Sequence, residues 1–284
     1  MRLLLTLLLL AAPVAAQELP SRWDELTAGD WPKAQERAAY TCILPIGILE
    51  KHGPHVPLGS DLIMAREWSA RAARQEYVVV FPDFFYGQIY EAKHQPGTFA
   101  LPSRLVWELL DATVEEIARN GFKKVVIVNG HGGNPQLLRY FVQSQLERRR
   151  DYVVYFFDPA YDAKAEEEKF KPLRKSDPSV DLHAGETETS VLLYLRPDLV
   201  QMPRAAEESG ADQNRLALPD LYTAIWWYAR FPNHYSGEGA KGSRELGQAL
   251  TEHRVATLVK ALRVVKTDDK TLKIQGEFFD RIKK

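Results

Sequence analysis

The chain has 284 residues, 45% of them apolar, which suits a large buried core and argues against intrinsic disorder. Its 37 Lys and Arg against 38 Asp and Glu give a formal net charge of -1, so no nucleic-acid partner is expected from bulk electrostatics. Cys42 is the only cysteine, which excludes an intrachain disulfide; because it opens an apolar strand, it reads as a small buried side chain.

Residues 1–16 place Arg2 before an apolar run and end on the small Ala15 and Ala16, the pattern of a secretory signal cut after Ala16. The expected product is exported, to the periplasm or the medium. No later segment is long and apolar enough to span a bilayer, so no membrane contact is expected after cleavage. Residues 17–38 read as a polar lead-in with a short helix near 21–28. The main domain is expected over 39–265 and a charged peripheral tail over 266–284.

Within the domain, strands are expected at 39–49, 77–82, 123–129 and 152–157, and helices at 61–75, 103–120 and 135–148. A further helix begins near Ser190 and stops before Pro197, and the last runs from 243 to about 265. This alternation predicts an α/β fold with a parallel sheet covered on both faces and chemistry at the C-terminal ends of its strands. The aperiodic stretch 83–102 reads as a long functional loop. The charged insertion 162–176 reads as solvated and is assigned no chemistry. The aromatic-rich stretch 202–232 reads as core, subunit contact or cover for a pocket.

Three junctions carry candidate chemistry. In the run Glu50-Lys51-His52-Gly53-Pro54-His55-Val56-Pro57-Leu58-Gly59-Ser60-Asp61, Glu50 and His52 follow an apolar strand and point the same way on extended chain. Its Gly and Pro residues fold Asp61 back towards them. Next, Asn129-Gly130-His131-Gly132-Gly133-Asn134 sets a histidine at a strand end among glycines that permit a tight turn. Last, His183-Ala184-Gly185-Glu186-Thr187-Glu188-Thr189-Ser190 puts another histidine and two carboxylates at a loop-helix junction. Each motif alone also suits a polar loop or a helix cap. Together, Glu50, His52, Asp61 and His131 with Glu186 or Glu188 offer enough oxygen and nitrogen ligands for two metals if Asp61 bridges, and no thiolate.

In these three motifs the sequence resembles the creatininase family of metal-dependent amidohydrolases, with order and strand positions matching from about residue 39 to 239. The resemblance implies a three-layer α/β sandwich, a dinuclear site of Zn²⁺ with Mn²⁺, Fe²⁺ or a second Zn²⁺, and hydrolysis of C–N bonds in cyclic or small linear amides. It also implies a homo-oligomer, often a hexamer. On that basis Glu50 and His131 bind one metal, His52 the other, Asp61 bridges, and His183 shuttles protons. Creatinine-cleaving members carry a substrate-binding tyrosine and a metal-binding glutamate where this chain has Gly132 and Gly133. The expected substrate is therefore an amide other than creatinine, and the missing carboxylate is assigned to Glu188, with Glu186 the alternative. Lys51 replaces a usual glutamine, and its ammonium belongs outside the metal shell. Two further readings stand beside this one: a non-catalytic metal-binding exported protein of the same fold, and a metallopeptidase trimming short peptides.

Overall fold

The computed structural model describes residues 18–282, so the expected leader at 1–16 lies outside the described residues. Four strands, β1 (Thr41–Ile46), β2 (Val79–Val80), β3 (Lys124–Asn129) and β4 (Val153–Phe157), pair in parallel in the order β2-β1-β3-β4. The helices are α1 (Trp31–Arg37), α2 (Ser60–Gln75), α3 (Ser103–Arg119), α4 (Pro135–Ser144), α5 (Ala163–Ala165), α6 (Glu186–Leu195), α7 (Trp226–Arg230), α8 (Arg244–Thr267) and α9 (Thr271–Ile282).

Period-two alternation sorts the strands between two cores. Cys42, Leu44, Ile46, Val125 and Ile127 face α3 and α4, meeting Leu110, Ile117, Leu138 and Phe141. Ile43, Val126 and Val128 face the other way, against Trp68 of α2, Leu192 of α6 and Leu258 of α8. Both faces are thus buried, which is why the strands are apolar throughout rather than alternating. The result is the expected three-layer α/β sandwich.

The chain departs from the expected boundaries where tertiary contacts act. β1 ends at Ile46 rather than at residue 49, so Glu50 and His52 lie further out on the loop than the expected strand end would put them. β2 is only two residues long; it is bonded to β1 on one side, with Phe81 N–H reaching the Ile43 carbonyl, and to the lead-in on the other, with Val80 N–H reaching the Ser21 carbonyl. That lead-in is no loose surface segment. Trp23 and Trp31 pack on each other and on Phe122, and α1 begins at Trp31 with Pro32 in its first turn. The tail carries α9, which buries Phe279 and bonds the Tyr152 carbonyl through Gln275.

β1 and β3 are neighbours, yet the chain visits β2 on the far side of β1 before it reaches β3. Their connections therefore leave in opposite directions and open a crevice beyond the carboxyl ends of the two strands. The candidate residues gather there.

Candidate metal centre

The loop after β1 closes on itself through backbone bonds from Glu50 N–H to the Leu58 carbonyl and from Val56 N–H to the His52 carbonyl. This returns Asp61, in the first turn of α2, to Glu50 and His52. Gly130 follows β3 because a Cβ there would run into the Asp61 carbonyl. That close approach seats the start of α2 against the end of β3 and puts His131 beside Asp61. Glu50, His52, Asp61 and His131 are all buried.

Hydrogen bonds at the far side of each ring decide what faces inward. His131 Nε2 lies 2.9 Å from the Gln88 carbonyl, which can only accept, so Nε2 carries a proton and Nδ1 of the neutral ring presents a lone pair. That lone pair lies 2.8 Å from Glu50 Oε1 and 3.0 Å from Asp61 Oδ2, two buried oxygens with no hydrogen-bond donor. His52 repeats the arrangement: Nδ1 faces the Glu50 carbonyl at 3.3 Å, and Nε2 lies 3.1 Å from Asp61 Oδ1 and 3.8 Å from Glu188 Oε2. Asp61 thus offers one oxygen to each histidine.

Lone pairs brought this close require positive charge among them, either protons on the rings or a metal ion. Burial alone would lower the His52 pKa, but Asp61, followed by Glu188 and Glu50, pushes it up to about 10. Burial would likewise lower His131, and Glu50 with Asp61 carries it well above the ordinary histidine value. Burial pushes Glu188 up to about 7. The donor set fits divalent cations: carboxylates and imidazoles whose orientations are fixed by outer partners, and no thiolate.

His183 completes the second half of the cluster. Its Nε2 bonds the Lys51 carbonyl at 2.8 Å, so Nδ1 is the free nitrogen, 3.8 Å from Glu188 Oε2. Burial, reinforced by His52 and His234, holds His183 well below the ordinary histidine value despite Glu50, and keeps it neutral at rest. Of the two candidate glutamates, Glu188 reaches the cluster. Glu186 is turned away, its carboxylate accepting from the backbone N–H groups of Lys175 and Ser176 at 2.7 and 2.9 Å. His55 lies outside, 2.8 Å from Thr189 Oγ1. The Lys51 ammonium is paired with Glu208 at 2.6 Å, away from the carboxylates of the cluster.

His234 is the residue that sequence reading missed. Trp227 Nε1 donates to its Nδ1 at 2.8 Å, so Nε2 bears the proton and donates to Glu50 Oε2 at 2.5 Å. One oxygen of Glu50 is thereby tied down while the other faces His131. An antiparallel bridge between His183 and Ser236 carries His234 into place, with its ring 4.4 Å from that of His183. Ala184 and His234 both adopt left-handed backbone, a conformation that costs a non-glycine residue about 1 kcal/mol or more and that concentrates at functional sites. The one hint in the sequence was a glycine-rich turn around 233–239.

On the other side of Glu188 and His131 a cavity of about 540 Å³ opens. Its wall comes from α2, the segment following β4, the 163–174 insertion and α8, rather than from the 83–102 loop. Gly132, at its edge, has nothing within 4 Å of where a Cβ would lie. A Cβ at Gly133 would sit 2.5 Å from His131 Nε2 and 2.6 Å from Gln88 Oε1, so no side chain fits there without displacing the bond that orients His131.

A family model for the creatininases, described as creatinine amidohydrolase, matches residues 24–262. The chain belongs to the creatininase family. It is 28% identical over 255 residues to a creatinine amidohydrolase of Pseudomonas putida, covering 82% of this chain and 94% of that protein. It is 34% identical over 164 residues to a mycofactocin precursor peptide peptidase of Mycolicibacterium smegmatis, covering 55% and 58% of the two chains. A mutant creatininase complexed with creatine superposes with a TM-score of 0.73 at 23% identity, over 87% of this chain and 99% of that one, which shows the shared fold. The protein is accordingly a creatininase-family amidohydrolase, a hydrolase of C–N bonds in a metal-dependent family.

Proposed function

We propose that this protein hydrolyses the C–N bond of a cyclic or small linear amide other than creatinine, using two divalent ions, Zn²⁺ with Mn²⁺, Fe²⁺ or a second Zn²⁺. Glu50 and His131 would hold one ion, His52 and Glu188 the other, and Asp61 both. The observation that carries this is the division of Asp61, with Oδ1 towards His52 and Oδ2 towards His131. Such ions, when bound, polarise an amide carbonyl and lower the pKa of water. The chain's own contribution is orientation and proton transfer. The Gln88, Lys51 and Glu50 carbonyls fix which nitrogen each histidine turns inward. Neutral His183, with Nδ1 free, is suited to take a proton from the attacking water and pass it to the departing nitrogen, without which an amide nitrogen leaves poorly.

Gly132 and Gly133 speak against creatinine, since they supply neither the aromatic contact nor the carboxylate found in creatinine-cleaving relatives. Likeness to a peptide peptidase keeps short peptides among the candidate amides. We also infer export from the 1–16 pattern and a homo-oligomer, hexameric by family resemblance. Metal analysis of the purified protein, paired with a turnover screen of lactams, formamides, cyclic imides and short peptides, tests the reading. Metal together with turnover of any of these supports it, whereas stoichiometric metal with no turnover favours a non-catalytic metal-binding protein.

A further inference from the structure

Among the charged side chains lining the cavity beside Glu188, Arg254 makes no ion pair among the described residues. Two acids of the wall are paired, Asp158 with Arg139 and Glu166 with Arg174, each at 2.6 Å, while Asp162 accepts from the Ala165 N–H at 2.9 Å and lies 3.6 Å from His253. Arg254 forms no ion pair or hydrogen bond within the described residues, although it is half-buried and projects from α8 into the cavity. What fixes it is apolar. Its guanidinium carbon lies over the rings of Trp68 at 5.2 Å and Phe157 at 5.9 Å, within cation–π range. Attraction to a ring's π face consumes none of the guanidinium's hydrogen-bond donors, so its N–H groups stay available. Burial depresses its pKa, and the attraction of Asp158 offsets this only in part. Guanidinium remains charged under any such depression of modest size, so the cavity keeps a fixed positive charge.

We propose that Arg254 binds a carboxylate of the substrate, and hence that the amide hydrolysed here is an anionic one of short-peptide size. This deepens, and rests on, the amidohydrolase reading. Size follows from α2, whose residues Asp61 and Trp68 mark the two ends of the path. Seven residues of helix advance about 10 Å, which two or three extended residues span at about 3.3–3.6 Å each. A planar carboxylate suits these N–H groups, because guanidinium can bind it through two parallel N–H donors.

The test uses metal-loaded wild-type protein, Arg254→Met, which keeps an apolar stem over Trp68, and Arg254→Lys, which keeps a charge. Tripeptides to pentapeptides are assayed as free acids and as C-terminal amides, and binding of glutarate and of neutral glutaramide is measured by calorimetry. The expected result is that Arg254→Met raises KM for the free acids about ten- to hundredfold, the loss typical of a charged hydrogen bond, and leaves the C-terminal amides unchanged. Arg254→Lys should recover part of the difference, and glutarate binding should weaken in Arg254→Met. Equal loss on acids and amides, or unaltered glutarate affinity in Arg254→Met with its melting temperature retained, overturns the proposal. Turnover of neutral amides without discrimination removes the anion site but leaves the hydrolase reading standing. If no amide is turned over, the hydrolase reading falls, and the calorimetric comparison still decides whether Arg254 binds a carboxylate.

Discussion

The two sides of Glu188 are built differently. Towards His183 lies a closed cluster in which every imidazole is oriented by a backbone carbonyl or an indole N–H, and every carboxylate touches at least one ring. Towards α8 lies an open cavity in which Asp158 and Glu166 are paired with Arg139 and Arg174, while the guanidinium of Arg254 lies over the rings of Trp68 and Phe157 with no ion pair among the described residues. The first arrangement fixes geometry for a reaction; the second leaves a charge available to a visitor. Reaction type and substrate choice are thereby assigned to separate walls.

Breaking the cluster should have the largest effect. Asp61→Asn removes the shared carboxylate, and metal content by mass spectrometry should collapse together with activity. That loss should exceed the ~100-fold cost of removing an outer partner of a ligand. Glu186→Gln, whose carboxylate serves only backbone and Ser176, should retain metal. His183→Ala should keep both metals while turnover falls by about a hundredfold or more; full activity in that variant would contradict its role. His234→Phe frees Glu50 Oε2 and should weaken metal binding by about 10- to 100-fold, with Trp227→Phe producing a smaller change of the same sign. Metal titration should also depend on pH: because His52, raised to about 10, and Glu188, raised to about 7, must lose their protons to act as ligands, affinity should fall as pH drops through the range between these values. The smallest effect is expected from Gly133→Ala, which should lower stability by about 1–3 kcal/mol through crowding of His131 and Gln88.

The fold was legible because buried parallel strands announce themselves as apolar runs and their helices as amphipathic ones, so β1, β3, β4 and α2 to α4 fall close to their expected places. What escaped was set by contacts distant in sequence. The short β2, the Trp23–Trp31 packing and the Phe279 anchor of α9 have no local signature. The same division holds at the site. Glu50, His52, Asp61, His131, His183 and Glu188 stand in compact motifs at strand and helix ends, where chemistry is expected. His234 reaches Glu50 across 184 positions through a bridge that only the folded chain displays. Arg254 sits on α8 without any motif to mark it, and the 162–176 insertion, assigned no chemistry, walls the cavity with Glu166, Phe170 and Arg174.

The central claim is that Asp61 joins two ions in one site. Electron paramagnetic resonance of the Mn²⁺-loaded protein, with metal counted on the same sample, tests it most directly. Two ions per chain with an exchange-coupled spectrum, replaced in Asp61→Asn by loss of coupling, is the predicted result. One ion per chain with the spectrum of isolated Mn²⁺ would contradict it.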